Sequence, residues 1–198
     1  FPALGVDFAA FSGHKMLAPT GIGALYGRAE LLDALPPFLT GGSMITRVEL
    51  QDADYMPAPI KFEAGTQRVS QVVAFAEAVR YLQHLGMDNV HAWEQELGAR
   101  LVTGVQNIEG VRLLGPTDPN KRAGLVSLGI DGVHPHDAGQ LLDTKGIAVR
   151  VGHHCAQPLH RGAGLTASTR ASAYLYNTTE DIDAFLAALA EVRPYFGL

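Results

Sequence analysis

The chain has 198 residues, 47% hydrophobic and 18% charged, the balance of an ordinary soluble globular protein. Its formal net charge of −5 argues against nucleic-acid binding, which calls for a basic surface, and no apolar run approaches the roughly 20 residues of a membrane-crossing helix. The single cysteine, Cys155, excludes an internal disulfide and fits a reducing, cytoplasmic compartment, and the N-terminus lacks the basic-then-apolar pattern of a secretory signal.

In chain order, residues 6–11 (VDFAAF) read as a short buried strand ending in the polar turn Ser12-Gly13-His14-Lys15. A loop rich in turn formers, residues 18–23, leads to a second apolar strand at residues 24–26. Residues 30–35 form a short helix stopped by Pro36 and Pro37, and residues 40–60 read as an extended loop that can hold a hairpin. The spacing of Val72, Val73, Ala76, Val79 and Leu82 predicts a helix over 69–85, with Gly86 closing it. Asp88 is expected to cap a second helix running to about Asn107. Strands are predicted at 111–114, 125–130, 147–151 and 169–175, a helix at 136–145 closed by Gly146, and a last amphipathic helix from a Thr179 cap to about Val192. This second half suggests helices on one face of a small, mostly antiparallel sheet.

Five places carry the residue types of chemistry. Lys15, between an apolar strand and a Gly/Pro-rich loop, has the setting of a nucleophilic amine, with Ser12, His14 and Thr20 as donors suited to a phosphate; alone, it reads as an ordinary turn lysine. Cys155, in Arg150-Val-Gly-His-His-Cys-Ala156, has the cationic and imidazole neighbours that suit a sulfur nucleophile, against the alternative of a small buried residue. His153, His154 and Cys155 are zinc-ligand types, as are His134 and His136, yet adjacent residues rarely share one ion and no spaced second pair exists, so no metal site is expected. Arg170, among small and apolar residues, suits a planar anion such as a substrate carboxylate, or an internal ion pair. Glu63-Ala-Gly-Thr66 places a Gly-Thr turn before a helix, either a phosphate contact or a plain cap.

Their order is more specific than any one of them. FSGHK, PTGIGALYG, GGSMI, FEAGT, IAVRVGHHCAQP and TRASAYLYNT, in that sequence, resemble the SufS-type cysteine desulfurases of the class-V aminotransferase family, across essentially the whole chain. The resemblance implies an α/β architecture of the pyridoxal 5'-phosphate (PLP) dependent transferase fold type I, in part: the end of the large cofactor domain over residues 1–67 and the small C-terminal domain over residues 68–198. It implies that Lys15 bonds the cofactor, that Ser12 and His14 contact its phosphate, and that Thr66 reaches the phosphate of the partner subunit in a homodimer. Arg170 would hold the carboxylate of L-cysteine, Arg150 and His154 would line the site, and Cys155 would take the sulfur as a persulfide. That sulfur would pass to a SufE- or SufU-like acceptor for iron-sulfur cluster assembly. His136 occupies the place where some relatives offer a histidine to a zinc-bearing acceptor. The family's remaining cofactor contacts lie upstream of the lysine, so the chain is expected to be the C-terminal half of a longer or split polypeptide. Rival readings are a selenocysteine lyase, a cysteine sulfinate desulfinase or another class-V PLP enzyme, and a non-catalytic fragment that only binds a partner.

Overall fold

A computed structural model describes residue 1 and residues 3–198, and the chain divides into two compact units, Phe1–Leu85 and Gly86–Leu198. The sequence reading drew its line after residue 67; compactness places the 69–85 helix with the segment before it.

In the first unit, β1 (Phe8–Ser12) pairs antiparallel with β2 (Gly23–Gly27), Phe8 opposite Gly27 and Ser12 opposite Gly23. Between them runs a tight 3₁₀ turn, Gly13–Met16, tied back by Gly13 N donating to Ile22 O at 2.9 Å. A side chain at position 23 would put its Cβ 2.7 Å from the carbonyl oxygen of Phe11, so only glycine lets β2 start this close to β1. Helix α1 (Ala29–Ala34) stops before Pro36, as expected. The segment read as an extended loop contains the hairpin β3 (Ile45–Val48) and β4 (Ala53–Tyr55). Helix α2 (Val69–Leu85) matches its predicted span and packs on the 3₁₀ turn, with Phe75 edge-on to Phe11 at 6.2 Å.

The second unit opens with α3 (Met87–Gln106). Its N-cap is Gly86, at φ +83°, and Asp88 lies in the first turn rather than capping it. Four strands follow, β5 (Val111–Leu113), β6 (Leu125–Ile130), β7 (Arg150–Gly152) and β8 (Ser168–Ser172), in the order β5-β6-β8-β7 with every pair antiparallel. Helices α4 (Pro135–Thr144), α5 (Gln157–Gly162), α6 (Thr179–Ala190) and α7 (Val192–Tyr195) complete it.

Three predicted boundaries are corrected. The strand read at 147–151 is only Arg150–Gly152, because Ile147 N donates to Leu142 O at 3.0 Å and so finishes α4 before the chain can join the sheet. The strand read to Leu175 ends at Ser172, since Tyr174 N turns to Asn177 Oδ1 at 3.0 Å. The last helix is capped by Thr178, not Thr179, in a capping box with Asp181.

Strand alternation divides the sheet's two faces. Val126, Leu128 and Ile130 of β6 and Ala171 of β8 point to one face, where Leu97, Leu101, Leu142, Phe185 and Leu189 of α3, α4 and α6 close a core. The other face carries Ser127, Arg150, Ser168 and Arg170, the polar half of the alternation. Helix α5, which the sequence reading missed, reaches this second face through His160, so the helices do not all lie on one side.

Candidate active site

The predicted residues fall into two groups, one in each unit. In the first, Ser12 ends β1 and is half-buried, while His14 and Lys15 are exposed in the 3₁₀ turn. Ser12 leads the turn without a side-chain cap bond, and among the described residues no carboxylate pairs with Lys15. The turn's backbone is closed on itself, Ala18 N donating to Gly13 O at 3.0 Å, with His14 and Lys15 exposed on it. Thr66 is exposed and lies three residues before the first residue of α2, Val69, so it is not the helix cap. The turn before it is tied to the loop of Gly41 and Gly42 by Gly65 N donating to Gly42 O at 2.8 Å.

The second group is built on β7, β8 and the loop between β7 and α5. Register sets Arg150 directly opposite Arg170, and Gly152 opposite Ser168. Like charges across a strand pair repel, and among the described residues neither arginine makes an ion pair. Arg150 Nη2 donates to Cys155 Sγ at 3.1 Å; Arg170 Nε is buried without a partner. Cys155 is exposed, and it and His154 both sit in left-handed backbone, at φ +63° and +52°. Two successive non-glycine residues there are strained by roughly 1–3 kcal/mol each, and such strain collects at functional loops. Here it lifts the sulfur off the end of β7 into solvent and turns it back toward Arg150.

His154 is half-buried, its Nε2 2.8 Å from Ser168 Oγ. Burial, and then the positive charge of Arg170, with His160 and Arg150 adding, pushes its pKa below the ordinary 6.5, so the ring is neutral near pH 7. His153 is exposed, and its ring lies 6.0 Å from that of His160. Sequence reasoning missed His160 and Ser168. Both are buried and hydrogen-bonded to each other, and neither belongs to a recognisable motif.

Among the described residues no group of three His, Cys, Asp or Glu could hold a metal ion. His134 instead caps α4, its Nδ1 accepting from His136 N at 3.3 Å. No helix is long and apolar enough to cross a membrane.

What the geometry offers is a turn with an exposed amine and, in the other unit, a cysteine in contact with Arg150, whose strand partner is Arg170; among the described residues none of the three cations has a carboxylate partner. The class-V aminotransferase family pattern matches residues 1–185, and the chain belongs to that family. It is 56% identical over 194 residues to a probable cysteine desulfurase of Mycobacterium leprae, a match covering 98% of this chain and 46% of that protein. It is 50% identical to a probable cysteine desulfurase of Streptomyces coelicolor, over 98% of this chain and 47% of that one. Among solved structures it superposes with TM-score 0.91 and 36% identity on the cysteine desulfurase CsdA of Escherichia coli, covering 98% of this chain and 48% of that one. On the apo cysteine desulfurase of Thermococcus onnurineus the TM-score is 0.92 at 38% identity, covering 100% and 49%. The chain thus spans about half the length of the relatives it matches.

Proposed function

We propose that this chain is the C-terminal half of a PLP-dependent cysteine desulfurase that converts L-cysteine to L-alanine and leaves the sulfur as a persulfide on Cys155. The observation that carries this reading is the contact of Arg150 Nη2 with the exposed Cys155 Sγ at 3.1 Å, Arg150 standing across the strand pair from Arg170, whose buried Nε has no partner among the described residues. A guanidinium gives the sulfur a fixed counter-charge while it acts as nucleophile, and the second guanidinium is left to take a carboxylate in bidentate fashion.

The residues of the first unit fit the cofactor. Lys15 has an unpaired amine for covalent attachment, and Ser12, His14 and the turn's backbone are donors suited to its phosphate. Bound there, PLP supplies the electron sink that lets bonds at the substrate's α-carbon break. With PLP bound, the Lys15 amine would be the general base that moves the α-proton. Arg170 fixes the substrate carboxylate. The Cys155 sulfur then attacks the substrate sulfur: a sulfur–sulfur bond forms, the carbon–sulfur bond breaks, and its electron pair returns to carbon, which is protonated to give alanine. Thr66, exposed at its turn, is the contact to a partner subunit's cofactor phosphate, which makes a homodimer the working form. A SufE- or SufU-like protein is the acceptor for the exposed persulfide, with iron-sulfur cluster assembly in the cytoplasm as its use.

The assay is turnover of cysteine and selenocysteine by the full-length protein before and after Cys155→Ala. Cysteine turnover is expected to fall by about 100-fold or more, because the nucleophile is gone, while selenocysteine turnover largely survives. Equal survival of both removes the persulfide role.

A further inference from the structure

Ser168 is fully buried, and its hydroxyl stands between two imidazoles, 2.8 Å from His154 Nε2 and 2.9 Å from His160 Nε2. A hydroxyl has one proton, so it donates to only one of them. The choice is made at the far end of the contact chain. His160 Nδ1 lies 3.0 Å from the carbonyl oxygen of Ala156, and a carbonyl only accepts, so Nδ1 carries the hydrogen. In a neutral His160 ring Nε2 is then the bare nitrogen, and Ser168 donates to it. Ser168 Oγ is left to accept, which places a hydrogen on His154 Nε2 and none on His154 Nδ1. That Nδ1 is buried with no partner. The reverse polarity would bury an N–H there instead, a costlier orphan than a bare lone pair.

We propose that His160 is a positioning residue of the sulfur-carrying loop: acting through Ser168, it fixes the proton of His154 on Nε2 and keeps Nδ1 bare in the residue adjoining Cys155. The proposal rests on reading Cys155 as the sulfur acceptor. The groups facing His154 are Arg150 of β7, Arg170 of β8 and His160 of α5, and none is a carboxylate that would hold a second proton on the ring. His154 is thereby a neutral ring whose buried Nδ1 resists a second proton, in the residue adjoining the nucleophile. The backbone of His160 is held by Leu165 N, which donates to its carbonyl at 2.9 Å, while its ring bridges Ala156 O and Ser168 Oγ.

The test uses the full-length protein with PLP bound and its histidines labelled with nitrogen-15. Two-bond proton–nitrogen correlation near pH 7.5 is expected to show His154 as the tautomer protonated at Nε2, and His160 as the one protonated at Nδ1. In His160→Phe the proton of Ser168 loses its acceptor; His154 should become a tautomer mixture and the pH profile of Cys155 alkylation by iodoacetamide should move, with rates changed by about five- to tenfold. His160→Gln offers an amide oxygen to Ser168 and an amide N–H to Ala156, and should restore both readouts. A wild-type His154 protonated on Nδ1, or a His160→Phe variant that folds with both readouts unchanged, overturns the proposal. Absence of a persulfide on Cys155 after cysteine is added, with the tautomers as expected, overturns the sulfur-transfer reading and leaves the proton assignment standing.

Discussion

Arg170 Nε is buried with no partner among the described residues, and the proposed substrate carboxylate would supply one. Arg170→Ala in the full-length protein should raise KM for cysteine by about 30-fold, the worth of one charge-assisted hydrogen bond of ~2 kcal/mol, with a smaller change in kcat. Arg170→Lys should recover little, since an ammonium cannot reproduce the planar fork. His154 makes a second prediction. Above its ordinary pKa of 6.5 neither the folded nor the unfolded chain holds the proton; below it, the unfolded chain takes up a proton that the folded ring resists, so stability falls as the pH drops. Thermal melts from about pH 8 to about pH 5 should show this loss, and His154→Gln should flatten it. Among the site candidates, Cys155 stood out by its polar neighbours, whereas Lys15 alone read as a turn lysine and was put forward on the order of the motifs. His160 and Ser168 were not legible, because a buried histidine bonded to a serine eight positions on has no periodicity or spacing to announce it.

At the scale of elements, legibility followed the length of the pattern. Helix α2 and strand β6 were read to the residue, since each repeats its apolar period several times. Helix α5 was missed: it is six residues, opens with Gln157-Pro158 and closes at Gly162, so it shows turn residues and no full period. Strand β7 was overextended because apolar Ile147 and Val149 look like strand, while the hydrogen bond that claims Ile147 N for α4 has no signature in sequence. The cap of α6 was placed one residue late, and its capping box was not read. Thr178 Oγ1 accepts from Asp181 N at 3.3 Å and Asp181 Oδ2 accepts from Thr178 N at 3.0 Å, so Thr178→Ala should cost about 1 kcal/mol and Thr179→Ala much less. Denaturant titration of the two variants separates them by the shift in midpoint at constant slope.

The whole molecule is uneven. The continuous core lies between Leu97 and Val192, within the second unit, whereas the first buries chiefly Met44, Ala78 and Leu82 and leaves Leu25, Phe38, Leu39, Val48, Val69 and Val73 in solvent. Residues 86–198 expressed alone should therefore unfold cooperatively, with dispersed amide resonances, and residues 1–85 alone should aggregate or stay unfolded. A non-cooperative melt for residues 86–198 would show that their core depends on further polypeptide. That α2 groups with residues 1–68 in compactness has no signature in sequence, because α2 is amphipathic in the ordinary way and only its contacts show which unit it joins.

Cys155 is the only thiol in these 198 residues and it lies open to solvent. Intact-mass measurement of this segment therefore needs no peptide map to locate an added sulfur atom: one acceptor means one address. Under the proposed reading, a time course of that mass shift would report how fast sulfur arrives on Cys155 and how fast an added acceptor protein removes it, with the polypeptide serving as its own gauge.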